Sequence, residues 1–170
     1  RTGRCQPEVH NMSNISPDPA AFLQNCQIID WETRSVLQHA ASLAEDDNCR
    51  STVAQRCFQW VRHSSDFQLN PITCRASDVL THRTGYCYAK SHLLCALLRA
   101  NQIPAGLCYQ RLSIDETGPP YCLHGMTAVC LPDVGWYRCD PRGNREDIDA
   151  QFTPTIKRLA FGTPLPQEYD

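Results

Sequence analysis

The stretch between Gly85 and Pro104 constrains the fold of this chain more than any other part. Its apolar residues recur over much of a helical circumference and not along one stripe: Ala89, Leu93, Leu94, Ala96, Leu97, Leu98 and Ala100. A helix of this kind is stable only when other elements cover it on more than one side. We therefore predict a buried central helix over 87–101, inside a layered domain.

Two further helices are predicted upstream of the central helix. Apolar residues recur at helical spacing over about 31–46 and again over about 50–63. Asp30 is placed to act as the N-cap of the first of these helices, and Ser77 can cap a shorter helix that runs through Leu80. The two longer segments are expected to form a helical pair.

Three strands are predicted downstream, over 105–112, 122–131 and 135–139. A Thr-Gly-Pro-Pro stretch separates the first two, and a Pro-Asp pair makes a tight turn between the second and third. Helices followed by antiparallel strands indicate the α+β class. We expect a polar N-terminal arm over 1–19, one folded domain over 20–162 and a C-terminal tail over 163–170.

The charge balance excludes several classes of partner. Sixteen Lys and Arg residues against eighteen Asp and Glu residues give a net charge of -2. Such a chain has no basic field for nucleic acid and no cationic surface for anionic membranes. Its apolar runs are far shorter than the roughly 20 residues that span a bilayer. We expect a soluble protein that binds neither nucleic acid nor membranes.

The eleven cysteines are an odd number, and no Cys-x-x-Cys pair occurs among them. This pattern argues against a zinc ribbon or a thioredoxin-type site. Several cysteines fall on predicted apolar faces, where a thiol behaves as a small hydrophobe. We predict reduced cysteines, a cytoplasmic location and no metal or cofactor. A secreted protein with disulfide bonds is the alternative.

Cys87 lies at the predicted start of the central helix. The first backbone NH groups of a helix have no intrahelical partner, and the helix dipole adds partial positive charge there. Both effects favour a thiolate over a thiol and make the sulfur a better nucleophile.

A thiol nucleophile needs a base, and the base needs a third group that fixes its orientation. His124 lies in the second predicted strand and Asp140 at the end of the third. The tight turn between these strands pairs residue 130 with 136, so His124 should lie close to residues 140–142. The sequence therefore predicts a catalytic triad of Cys87, His124 and Asp140.

Three segments of the chain carry a family pattern. They are Thr84-Gly85-Tyr86-Cys87-Tyr88-Ala89-Lys90 running into Leu97-Leu98-Arg99-Ala100-Asn101-Gln102-Ile103-Pro104-Ala105, then His124-Gly125, and then Cys139-Asp140-Pro141. In order and spacing, over about 50–145, they resemble the core signature of the transglutaminase-like superfamily. The resemblance implies a papain-like α+β fold, with the cysteine at the amino end of a central helix packed on an antiparallel sheet.

The resemblance also implies a class of reaction. Members of the family are transglutaminases, cysteine peptidases, amidases that remove glycans from asparagine, and proteins that have lost activity. We predict a cysteine hydrolase that cleaves an amide or peptide bond of a peptide or protein substrate through a Cys87 thioester. A catalytically silent binding or scaffold domain and a protein-glutamine amine transferase are the alternatives.

The substrate side of the site is less well defined by the sequence. Gln102 stands where the family usually has Gly, and Gly106 stands where Arg often follows Ile-Pro-Ala. The backbone NH of Cys87 is the natural first donor to an oxyanion. Candidates for a second donor or for lining the substrate site are His82, Tyr86, Tyr109 and Gln110.

Overall fold

The computed structural model describes residues 18–63, 70–115, 117–144 and 146–163. A short 3-10 helix, Pro19–Leu23, precedes the helices α1 (Arg34–Ala44), α2 (Arg50–His63), α3 (Ala76–His82) and α4 (Cys87–Ala100). The strands β1 (Ala105–Ser113), β2 (Tyr121–Leu131) and β3 (Gly135–Cys139) follow. The predicted arm and tail lie almost entirely outside the described residues.

Helix α4 lies at the centre of the domain. It packs against α1, α2 and α3 on one side and against β1 and β2 on the other. Five consecutive residues of its middle turns, Leu93 to Leu97, have no solvent exposure. Covering α4 from both sides buries every residue from Ala89 to Leu98, which confirms the α+β class and the buried central helix. Among the described residues, no helix is both long and apolar enough to cross a membrane.

The three strands form one antiparallel sheet in the order β1-β2-β3. Cys130 pairs with Trp136, as the tight turn predicts, and the pairing continues to Thr127 opposite Cys139. Between β1 and β2, Gln110 lies opposite His124. This register carries β2 and the end of β3 to the amino end of α4.

The predicted helix caps differ from the observed ones. Helix α1 begins at Arg34 with Thr33 at its N-cap, and the Asp30 side chain does not cap it. Asp30 instead accepts hydrogen bonds from the backbone N and the Oγ of Ser77, at 3.0 and 2.5 Å. Ser77 lies inside α3, which begins one residue earlier. Asp30 and Ser77, which the sequence predicts as caps of two different helices, therefore bind each other in a tertiary contact.

Candidate active site

Cys87 is the first residue of α4 and is partly exposed. The backbone NH groups of Gly125 and Tyr88 act to lower the pKa of its thiol. One of these donors belongs to the first turn of α4, and the other belongs to β2. The sulfur therefore lies where the helix start meets the sheet, among groups that favour a negative charge.

Gly125 allows β2 to approach the start of α4 closely. A Cβ atom at this position would lie 2.9 Å from the Cα of Tyr88 and 3.3 Å from its backbone N. Real Cβ atoms essentially never come within 3.0 Å of a non-bonded atom. The missing side chain thus brings the preceding residue, His124, beside Cys87.

His124 and Asp140 form a buried pair. The Nε2 of His124 donates to the Oδ2 of Asp140 at 2.6 Å, and the two residues are 5% and 0% exposed. Because Nε2 is occupied, Nδ1 is the ring nitrogen left to face the thiol. The Asp140 carboxylate also accepts from the backbone N of Arg142 at 3.0 Å and of Ala160 at 3.2 Å. These three donors fix its orientation.

Cys87 and His124 shift each other's pKa in opposite directions. Burial raises the pKa of Cys87, but its contacts with His124 and with the NH groups of Gly125 and Tyr88 hold it below the ordinary value. Burial lowers the pKa of His124, but its bonds to Asp140 and Cys87 raise it to about 9. The two directions together favour a thiolate beside an imidazolium.

A buried lysine lies one turn beyond Cys87 on α4. Lys90 is 6% exposed, and its Nζ donates to the backbone O of Arg142 at 3.1 Å. Burial lowers the pKa of Lys90 to about 8, although Asp140 acts in the opposite direction. Lys90 therefore ties α4 to the turn that follows Asp140.

An aromatic ring covers the histidine. The Phe161 ring meets the His124 ring edge to face, with centroids 5.0 Å apart and planes at 88°. Phe161, Lys90 and Gly125 were not predicted as parts of the site, although Lys90 and Gly125 stand within the family pattern. A glycine inside a strand pattern can mark a close backbone approach, and a lysine within an apolar helix is unusual. Phe161 carries no such signal, because it follows all of the predicted strands.

The remaining predicted residues take different positions. Tyr86 directly precedes Cys87, is exposed and stacks on Tyr88, with ring centroids 6.2 Å apart. Tyr109 is exposed and lies opposite Gly125 in the sheet. Gln110 has no exposure, and its Nε2 donates to the backbone O of Phe161 at 3.0 Å.

His82 lies at the end of α3, in the lining of a separate surface hollow with Ile72 and Arg75. That hollow does not include Cys87. Within the described ranges, no three His, Cys, Asp or Glu side chains are grouped so that they could hold a metal ion.

The family model described as the transglutaminase-like superfamily matches residues 37–141. No curated protein matches the chain.

Two solved proteins share the fold. A “putative cysteine protease” from Cytophaga hutchinsonii aligns with a TM-score of 0.60 and 20% identity, covering 76% of this chain and 43% of its own. The periplasmic domain of TgpA from Pseudomonas aeruginosa aligns with a TM-score of 0.54 and 23% identity, covering 74% and 48%. The same domain bound to ethylmercury gives 0.53 and 22%, covering 72% and 48%. This chain thus spans less than half the length of each of these solved chains.

Proposed function

Because the chain belongs to the transglutaminase-like superfamily, we propose that Cys87, His124 and Asp140 form a catalytic triad that cleaves an amide or peptide bond. The superfamily has a cysteine-based catalytic fold, and this chain has that fold.

The placement of His124 between Asp140 and Cys87 carries the proposal. A base works in acyl transfer when one ring nitrogen is oriented by a carboxylate and the other faces the nucleophile. The 2.6 Å bond from Nε2 to Asp140 supplies the first condition. For the second condition, His124 and the Cys87 thiol interact closely enough for each to shift the pKa of the other.

The proposed reaction has two halves. The Cys87 thiolate attacks the carbonyl carbon, a carbon–sulfur bond forms, and the carbonyl electron pair moves to the oxygen. The backbone NH of Cys87, which has no intrahelical partner at the start of α4, stabilises this oxyanion. The tetrahedral intermediate then collapses, the carbon–nitrogen bond breaks, and the leaving amine takes the proton of His124.

The second half releases the acyl group. His124 accepts a proton from a water molecule as the water attacks the thioester carbon. The carbon–sulfur bond breaks, a carboxylic acid leaves, and the sulfur returns to its thiolate state beside the imidazolium. Asp140 remains hydrogen bonded to His124 throughout and keeps its ring in one orientation.

We propose that a peptide or protein substrate lies across the exposed side chains beside Cys87. Tyr109 pairs with Gly125 across the sheet, and Leu123 precedes Gly125 by two residues on β2. Tyr109 and Leu123 therefore lie on the same sheet face as Gly125, the face that meets the start of α4. Both are exposed, as is Tyr86 on the helix side. Apolar side chains on two sides of the sulfur suit a substrate with an apolar residue near the scissile bond.

Selective alkylation tests the proposed nucleophile. At pH 6 a brief iodoacetamide pulse should modify Cys87 far faster than the other ten cysteines, since an ordinary thiol with a pKa of about 8.5 is mostly protonated there. Peptide mass spectrometry gives the rate at each site. His124→Ala should abolish the preference, while His39→Ala, the same change in α1, should leave it intact.

A screen of small amides and peptides, with and without added amines, then separates the outcomes. Release of acid without an added amine supports hydrolysis. Product formation only in the presence of an amine identifies an amine transferase. Equal labelling of all thiols, or labelling that His124→Ala does not change, refutes the enzyme proposal in favour of a silent binding domain.

The redox state has its own test. We propose that the protein is cytoplasmic and reduced, so the denatured, unreduced chain should give a thiol count near eleven. A count lower by several thiols would identify a disulfide-bonded, secreted protein.

A further inference from the structure

The family match ends at residue 141, yet two later residues contact the proposed triad. The backbone N of Ala160 donates to the Oδ2 of Asp140 at 3.2 Å. The ring of Phe161 lies against the ring of His124, with centroids 5.0 Å apart. Both contacts reach the buried His124–Asp140 pair, which suggests that the family signature alone does not complete the site.

We propose that residues 160 and 161 form a strap that completes the site, with Phe161 and Gln110 as positioning residues for His124. The inference rests on the proposed function for its catalytic meaning. The strap has two tasks. Phe161 keeps water away from the His124–Asp140 bond, and Gln110 holds Phe161 in place.

Gln110 is placed to hold the strap. It has no solvent exposure, and its register partner on β2 is His124. Its Nε2 donates to the backbone O of Phe161 at 3.0 Å. Its Oε1 has no hydrogen-bond partner among the described residues. A flipped amide would bring two oxygens together, so the bond to Phe161 fixes the amide orientation. A buried amide with one unsatisfied group is costly to keep, which indicates a role beyond filling space.

A second contact with the Phe161 ring comes from the turn after Asp140. The guanidinium of Arg142 lies 5.0 Å from the centre of the Phe161 ring. The backbone N of the same residue donates to the Oδ1 of Asp140. Arg142 therefore links the strap to the carboxylate of Asp140.

Removing the ring should change the acid–base behaviour of the pair. Favourable contacts outweigh burial for both groups, since the pKa of Cys87 is lowered and that of His124 is raised to about 9. Water that enters beside His124 and Asp140 would reduce the effect of burial on their pKa values and would also weaken their electrostatic contacts. The pKa of His124 should then fall toward its ordinary 6.5, and the pKa of Cys87 should rise.

The experiment compares Phe161→Ala, Phe161→Leu and Gln110→Leu with the unsubstituted protein and with Phe22→Ala. Phe22 is a partly buried phenylalanine that packs on Trp136, with ring centroids 4.7 Å apart. It therefore controls for the loss of one ring. Two readouts are used: the pH profile of Cys87 alkylation, and the pKa of His124 from NMR titration of isotope-labelled imidazole, assigned with His124→Ala.

For Phe161→Ala we expect a fall in the His124 pKa and about tenfold slower Cys87 alkylation at pH 6. A rise of about one in the pKa of Cys87 lowers its thiolate fraction by that factor at this pH. Phe161→Leu, which keeps an apolar cover, should retain most of both properties. Gln110→Leu should shift them in the same direction as Phe161→Ala. Phe22→Ala should leave both unchanged.

An unchanged His124 pKa in folded Phe161→Ala overturns the strap, as does an equal change in Phe22→Ala. The NMR readout does not require turnover. A shifted His124 pKa in a protein that cleaves no amide therefore supports the strap and refutes only the proposed hydrolysis.

Discussion

Gly125→Ala tests whether the close approach of β2 to α4 determines the geometry of the site. The added methyl group would lie 2.9 Å from the Cα of Tyr88, whereas ordinary contacts begin at 3.4 Å. The two backbones must therefore separate by at least about half an ångström. Neither can yield easily, because the obstructing atom is main chain and α4 is fixed on its other side by three helices.

The magnitude of the effect follows from this displacement. Overpacking of this kind costs about 1–3 kcal/mol. A loss of about 2 kcal/mol lowers the melting temperature by roughly 4–8 °C in a protein of this length. A misplacement of about 1 Å can cost about 100-fold in rate, so a shift of half that size should slow Cys87 alkylation at pH 6 by roughly tenfold.

Gly106→Ala is the matched control. Its Cβ would also meet an atom at 2.9 Å, but that atom belongs to the ring of Phe22, a side chain that can move. Gly106 lies on β1, opposite Ala128, away from the triad. Thermal melts and alkylation rates are measured for both variants at temperatures where each is folded. Normal Cys87 reactivity in Gly125→Ala despite a lowered melting temperature would refute the reasoning, as would an equal loss in Gly106→Ala.

Two further predictions concern charge. Asp140→Asn removes a charge-assisted bond worth about 1.5–3 kcal/mol, so the pKa of His124 should fall from about 9 toward its ordinary 6.5, as NMR titration of the labelled imidazole measures. Asp133→Asn, on the exposed β2–β3 turn, should leave the pKa of His124 unchanged, and an equal His124 pKa in the two variants would contradict the role of Asp140. The second prediction uses Lys90, whose pKa of about 8 lies below the ordinary 10.5. Between these values the unfolded chain binds more protons, so Lys90 makes the free energy of unfolding rise with pH. Urea unfolding gives the free energy of unfolding at pH 7.5 and 9.5. Between these two pH values it should rise less, or fall more, in Lys90→Met than in the unsubstituted protein, and the same change in both proteins would exclude this account.

The sequence predicts much of the fold because its patterns are strong. The apolar circumference of α4 requires cover on both sides, and the tight turn after β2 determines the pairing of β2 with β3. Since register is a local property, it also predicts the approach of His124 to Asp140, which lies sixteen residues further along the chain.

Other parts of the site depend on contacts that no local pattern encodes. Gln110 and Phe161 are fifty-one residues apart, and their hydrogen bond follows from how the last described segment packs. Asp30 matches the pattern of a helix cap, yet it bonds to Ser77 because α3 folds against the start of α1. Local pattern cannot distinguish such tertiary partners from local ones.

The position of the nucleophile also has a consequence for how this protein can lose function. Cys87 begins the helix whose middle turns have no solvent exposure, and it does not lie on a mobile loop. The middle turns of such a helix exchange their amide hydrogens only when most of the core opens, and its first turn packs closely against β2 at Gly125. The thiol should therefore keep its enhanced reactivity nearly up to the temperature of global unfolding and lose it in the same cooperative step. Cys87 labelling can then serve as a sensitive measure of the folded fraction in any variant that leaves the site intact.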